Sequence, residues 1–125
     1  LEINALNGEP GVLSARYAGY EKNPKKNITK VLKNLKNKSN REAQFKTVIA
    51  LHYKGKFLTF EGICKGKIID KIKGNKGFGY DPIFKPDHST KTFAELSTSE
   101  KNKISHRSIA FNKLTDYLNN LNKFN

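Results

Sequence analysis

Between Ala43 and Tyr53 polar and apolar residues alternate, so that Phe45, Thr47, Ile49, Leu51 and Tyr53 share one face of an extended chain. A period of two sustained over this length belongs to a half-buried strand, because successive side chains of a strand point to opposite faces. The β-branched residues in the run favour the same pleated geometry. Lys54-Gly55 then supplies a tight turn, and residues 56–61 and 62–72 read as two further strands, with Gly62 and Gly66 marking a bulge or a bend. The expectation is a three-stranded antiparallel meander.

The flanking segments supply cover for it. Leu1, Ile3 and Ala5 alternate with Glu2 and Asn4 as at the end of a half-buried strand, and Asn7-Gly8-Glu9-Pro10-Gly11 turns the chain. Ile28, Val31, Leu32 and Leu35 recur at helical spacing with lysines opposite, a pattern that stops in the polar run 37–40. Past the turn at Gly74-Asn75-Lys76-Gly77, residues 80–85 fit a short strand and Pro86-Asp87-His88-Ser89 a loop. Ser97 and Glu100 have capping-box spacing, which predicts a short helix through Lys103, and Ser105 can cap a second one. In that last helix Phe111, Leu114, Leu118 and Leu121 form the stripe expected to lie on the sheet. The fold class that follows is α/β, a mixed twisted sheet with flanking helices.

The 125 residues amount to one domain with one ordinary core. A formal charge of +13 raises the question of a nucleic-acid partner, since lysine and arginine bind phosphates. The lysines, however, are scattered among asparagines through every segment, and arginine occurs only at Arg16, Arg41 and Arg107. A solvated basic surface is the favoured reading, and a basic nucleic-acid-binding module without catalysis is the alternative. Cys64 is single, so no intramolecular disulfide can form, and no apolar stretch is long enough to span a bilayer. A soluble, cytoplasmic protein is expected. Methionine is absent and Leu1 begins inside an alternating pattern, so further residues are expected upstream.

Two clusters could carry chemistry. In Gly77-Phe78-Gly79-Tyr80-Asp81-Pro82 two glycines flank an aromatic, which lets backbone approach a ligand while Phe78 offers a ring face. The same pattern also fits a hairpin turn with Phe78 and Tyr80 in the core. Lys101, Ser105, His106 and Arg107 gather a cation, a hydroxyl, an imidazole and a guanidinium near a helix junction, which suits an anionic ligand and equally suits a solvated surface. His52, on the outward face of a strand, and His88, in a loop, receive no role. Asp81, Asp87, Glu95 and Glu100 have no metal-motif spacing, and neither a Walker loop nor a nucleophile-base pair is visible.

The order of motifs is more specific than any one of them. Leu1-Glu2-Ile3-Asn4-Ala5-Leu6-Asn7-Gly8-Glu9-Pro10-Gly11, Ser14-Ala15-Arg16-Tyr17-Ala18-Gly19, Gly77 to Pro82, Phe93-Ala94-Glu95-Leu96 and Glu100-Lys101-Asn102-Lys103-Ile104-Ser105-His106-Arg107 follow one another along the chain. In this it resembles the RdgB-like inosine triphosphate (non-canonical purine nucleoside triphosphate) pyrophosphatase family. The resemblance makes residues 1–125 the carboxy-terminal portion of a single domain, two-lobed with a nucleotide cleft in the full-length family. It implies a homodimer and Mg²⁺-dependent hydrolysis of ITP, dITP or XTP to the monophosphate and pyrophosphate, which sanitises the nucleotide pool. Carried over by position, Phe78, Gly79, Tyr80, Asp81, Lys101, His106 and Arg107 would bind substrate. Arg107 has donors only, so it suits the 6-oxo group of hypoxanthine or xanthine and meets the 6-amino group of adenine unpaired. The family's phosphate-binding loop, its Mg²⁺-holding Glu and its general-base Asp are expected before Leu1. The segment alone is therefore expected to choose the nucleotide without cutting it.

Overall fold

Lys54 and Gly55 both adopt positive φ, 47° and 76°, the two-residue turn whose handedness suits antiparallel strands. It closes one long hairpin of strands β2 (Glu42–Tyr53) and β3 (Lys56–Ile68), in which Tyr53 pairs with Lys56 and Glu42 with Lys67. The computed structural model, which describes residues 1–123, adds β1 (Glu2–Ile3) and β4 (Phe84–Pro86) at the edges, giving an antiparallel sheet in the order β1-β2-β3-β4. Helices α1 (Pro24–Asn34), α2 (Thr98–Ile104) and α3 (His106–Lys123) complete the mixed α/β unit.

The expected meander is thus corrected. Residues 56–68 form a single strand, and neither Gly62 nor Gly66 breaks it. These glycines serve close packing instead. A Cβ on Gly62 would run into the His106 carbonyl oxygen and lie 2.6 Å from the Ala110 nitrogen, while one on Gly66 would meet the Lys85 carbonyl oxygen and the Phe84 ring. Residues 69–72 are not strand, and the short strand expected at 80–85 shrinks to β4, because Asp81–Ile83 form a 3₁₀ turn and Pro86, placed in a loop by its sequence, pairs with Gly66.

Helix α3 packs on β2 and β3, but only two of the four residues of the expected stripe, Leu114 and Leu121, are covered. Phe111 is 60% exposed and Leu118 39%, whereas His106 and Ala110 are buried and Ile109, Leu114, Tyr117 and Leu121 half-buried. The contact face is rotated because the helix crosses β3 at Gly62, where only a residue as small as Ala110 fits. A Phe there would overpack the crossing.

The two other helices follow their sequence signals. In α1 the Asn23 side chain accepts the Lys26 N–H at 3.1 Å with Pro24 in the first turn, and Ile28 and Val31, with Leu35 just beyond the last turn, are buried. At the start of α2 Ser97 and Glu100 exchange side-chain and backbone bonds, both 3.1 Å, as the capping-box spacing predicts. Ser105 accepts the Ser108 N–H at 3.2 Å in the first turn of α3.

The crossing at Gly62 yields a stability prediction. Gly62→Ala should lower the unfolding free energy by about 3 kcal/mol, through overpacking against α3 backbone. Lys65→Ala, on the exposed face of the same strand, should change it by less than about 0.5 kcal/mol in the same denaturant titration.

Candidate functional site

The chain between β3 and β4 is a loop whose exposed tip is Phe78. Gly77 has φ of 74°, a conformation that L side chains rarely adopt, and a Cβ there would collide with the Asp81 carboxylate. That carboxylate explains the shape of the tip. Asp81, 3% exposed, accepts the Phe78 N–H on Oδ2 at 3.0 Å, and the same oxygen accepts Lys101 Nζ of α2 at 2.6 Å. Both members of this ion pair are largely withdrawn from water, so removing either would leave a buried charge uncompensated.

Above this pair stands the Phe78 ring, 57% exposed. Lys101 Nζ lies 4.8 Å from its centroid and the Arg107 guanidinium carbon 4.3 Å, both in cation–π range. The tip is therefore neither a plain hairpin turn nor a core segment, and its two aromatics divide the roles. Phe78 faces out, while Tyr80 is 5% exposed and donates its hydroxyl to the Ser14 carbonyl at 2.6 Å. Burial holds the Tyr80 phenol well above its usual range, with Tyr17 adding to the shift.

His106 lies behind this group. Its imidazole stacks on Phe45 with ring centroids 4.8 Å apart and an interplanar angle of 14°, and its Nδ1 is buried with no hydrogen-bond partner among the described residues. Burial lowers its pKa to about 4, helped by the charges of Arg107 and Lys101. At neutral pH the ring is thus uncharged, and such a ring carries one donor and one acceptor.

These residues line a cleft of about 780 Å³, within the range that suits a small organic ligand. Its other walls come from Ser14 and Ala15, from Pro24 and Asn27 of α1, and from Phe45, Lys46 and Thr47 of β2. Asn27 holds the Ser14 loop in place, accepting the Ala18 N–H at 2.8 Å and donating to the Ala15 carbonyl at 3.0 Å. Among the described residues no group of three or more His, Cys, Asp or Glu side chains is arranged to hold a metal ion.

The Ham1 family model matches residues 1–117. The chain belongs to the Ham1 family. The dITP/XTP pyrophosphatase of Christiangramia forsetii is 56% identical over 118 residues, which are 94% of this chain and 62% of that protein. The protein of the same name from Flavobacterium johnsoniae is 57% identical over an equal span. The solved structure of the Staphylococcus aureus Ham1 protein superposes with a TM-score of 0.92 at 46% identity, over 95% of this chain and 62% of that one. This Ham1-family chain therefore spans about three-fifths of the length of the relatives it matches.

Within this member of the Ham1 family, the expected site residues reach one cleft from two stretches of chain. Phe78, Gly79, Tyr80 and Asp81 come from the β3–β4 loop, and Lys101, His106 and Arg107 from the α2–α3 junction. They are not equivalent there. Asp81 and the Tyr80 hydroxyl are committed to protein partners, whereas Phe78 and Arg107 are exposed. His52 and His88 are exposed and do not line the cleft. Sequence reasoning placed Phe45 only on a strand face and Ser14 only within a motif, and gave neither a site role. Asn27 was not named, although its signal is a polar residue beside Ile28 on the buried face of an amphipathic helix.

The His106 environment predicts a pH response. Its folded-state pKa of about 4 lies below the ordinary 6.5, so on acidification the unfolded chain takes up the proton first. The contribution to stability should be complete above about pH 6.5 and decline as the pH falls toward 4. An NMR titration of the His106 ring should show an uncharged imidazole down to about pH 5, and a midpoint near 6.5 would contradict the burial argument.

Proposed function

We propose that this segment is the base-recognising, carboxy-terminal portion of a nucleoside-triphosphate pyrophosphatase. The full-length protein would hydrolyse ITP, dITP and XTP to the monophosphate and pyrophosphate and so sanitise the nucleotide pool. The observation that carries the reading is the exposed Phe78 ring, within cation–π range of both Lys101 and Arg107, at the wall of a nucleotide-sized cleft. The names of the relatives, dITP/XTP pyrophosphatases at more than half identity, support the substrate class.

Base-on-aromatic stacking contributes about 1–3 kcal/mol in nucleic-acid-binding proteins, and Phe78 can offer a purine that contact. Lys101 Nζ and the Arg107 guanidinium both lie over the ring, so a purine takes a face they leave open or displaces the guanidinium. Arg107 donors reach the edge of a stacked base once the guanidinium leaves the ring face. A 6-oxo group accepts from them and a 6-amino group does not. His106, uncharged at neutral pH, adds a donor and an acceptor without further positive charge. Asp81 acts indirectly: it fixes Lys101 and the Phe78 backbone, and Gly77 and Gly79 give the tip its shape.

The hydrolytic step, attack of water on the α-phosphorus with departure of pyrophosphate, is assigned to residues in the remaining two-fifths of the family's length. The described residues do not fit a Mg²⁺ site, because the cleft carboxylate of Asp81 is already neutralised by Lys101. Mg²⁺ belongs to the proposal only as the companion of the triphosphate. A homodimer belongs to it as well. Val48 and Phe57, 52% and 70% exposed on the outward face of the hairpin, offer apolar surface to a second copy. A cytoplasmic location fits the free thiol of Cys64, and no helix among the described residues is long and apolar enough to cross a membrane.

The full-length protein should release pyrophosphate from ITP and XTP in the presence of Mg²⁺, and no release would refute the assignment. Phe78→Ala should raise KM for ITP about tenfold through lost stacking. Arg107→Ala should narrow the preference for ITP over ATP by at least about tenfold. An unchanged ratio in paired kcat/KM measurements would remove Arg107 from base selection. Binding that ignores Phe78 and weakens steeply with salt would instead favour a nucleic-acid surface.

A further inference from the structure

The segment Phe93-Ala94-Glu95-Leu96 has a place in the motif order but no part in the nucleotide reading above. It lies directly beneath the Phe78 loop. Thr92, which precedes it and is 1% exposed, donates its hydroxyl to the Lys73 carbonyl at 2.6 Å. The Lys76 N–H donates to the Ala94 carbonyl at 3.0 Å, and the Ala94 N–H to the Asp81 carbonyl at 3.3 Å. These three bonds reach the start, the middle and the end of the loop.

Contact is close where they are made. A Cβ on Gly74 would lie 2.5 Å from the Ala94 carbonyl oxygen, so the two backbones touch without side chains between them. The lower layer is itself anchored. Glu95 Oε1 accepts the Thr92 N–H at 2.9 Å, and the Phe93 ring packs against Phe45 and Phe84 at 5.7 and 5.1 Å between centroids.

A ring as exposed as Phe78 cannot hold its own loop, and that loop contains glycines at positions 74, 77 and 79, each at positive φ. Its order has to come from other anchors, the Asp81 carboxylate at the tip and the bonds to residues 92–94 beneath. Thr92 is the side-chain anchor at the loop's entrance, where the Lys73 N–H also bonds the Pro82 carbonyl at 2.9 Å and closes the loop on itself.

We propose that Thr92 is a positioning residue for base recognition: through the Lys73 carbonyl, and with residues 92–96 as a strut, it holds the loop so that Phe78 is presented to the cleft. The role in recognition rests on the nucleotide reading of the cleft. The strut itself rests on the hydrogen bonds alone.

Thr92→Val keeps the shape of the side chain and deletes the hydroxyl, leaving the Lys73 carbonyl without that donor, while Thr92→Ser retains it. Amide hydrogen exchange and the affinity for inosine, measured on both variants and the parent protein, test the two parts separately. In Thr92→Val, exchange at Lys76 and Phe78 should rise about tenfold with the β2–β3 amides unchanged, and inosine should bind about fivefold more weakly. Thr92→Ser should restore both. Unchanged exchange at Lys76 and Phe78, or an equal rise throughout the chain, would overturn the strut. A loosened loop with unaltered inosine affinity would overturn the role in recognition. If the parent protein bound no inosine, the nucleotide reading and that role would fall together, and the exchange data would still decide the strut.

Discussion

Phe45 touches rings from three other segments of the chain, and the site is built around that contact. Phe84 of β4 lies 4.5 Å from it, Phe93 5.7 Å and the His106 imidazole 4.8 Å. Its strand is the framework on which these segments gather, since each residue of β2 is paired to β3. Aromatic contacts of this kind add about 0.5–1.5 kcal/mol each beyond area burial, and here they also set geometry. The strut beneath the Phe78 loop and the first turn of α3 both meet at one side chain, so their distance apart is fixed by the sheet.

Electrostatics finishes what packing begins. The cleft gathers Lys101, Arg107 and a deprotonated imidazole around a single carboxylate that serves as an internal counter-ion. Lys101 satisfies Asp81, Asp81 holds the Phe78 backbone, and Phe78 carries the surplus positive charge against its ring. With Lys101 neutralised, Arg107 remains as positive charge at this wall, and Lys22, Lys46 and Lys76 line the rest of the cleft. An electron-rich carbonyl edge or a phosphate complements that arrangement, and an ammonium or an amidine does not.

Local signals were legible in the sequence where a single residue type has a single physical use. The period of Phe45 to Tyr53, the helical spacing of Ile28 to Leu35 and the reciprocal bonds of Ser97 and Glu100 are of this kind. The errors share a cause as well. Gly62 and Gly66 read as breaks because a glycine in a strand has two uses, and only knowledge of what crosses the strand separates a bend from a close approach. Phe111 and Leu118 left the expected stripe for the same reason, since the face α3 presents is chosen by the gap at Gly62 and not by the helix alone. In the cleft, the segments named by the order of motifs come together, but Tyr80 facing inward and Phe78 outward depends on Ser14, which no local pattern connects to them.

The Tyr80–Ser14 bond joins residues 66 positions apart, whereas the hairpin closes across Lys54 and Gly55. The chain thus combines a local framework with a cleft made almost wholly of distant contacts, and loop-closure entropy has to be met before those contacts return anything. A partly folded form that keeps the hairpin has no cleft. Occupancy by a ligand would then act as a reporter of complete folding, and by mass action would stabilise only the molecule in which Ser14, Phe45, Phe78 and Arg107 have all arrived.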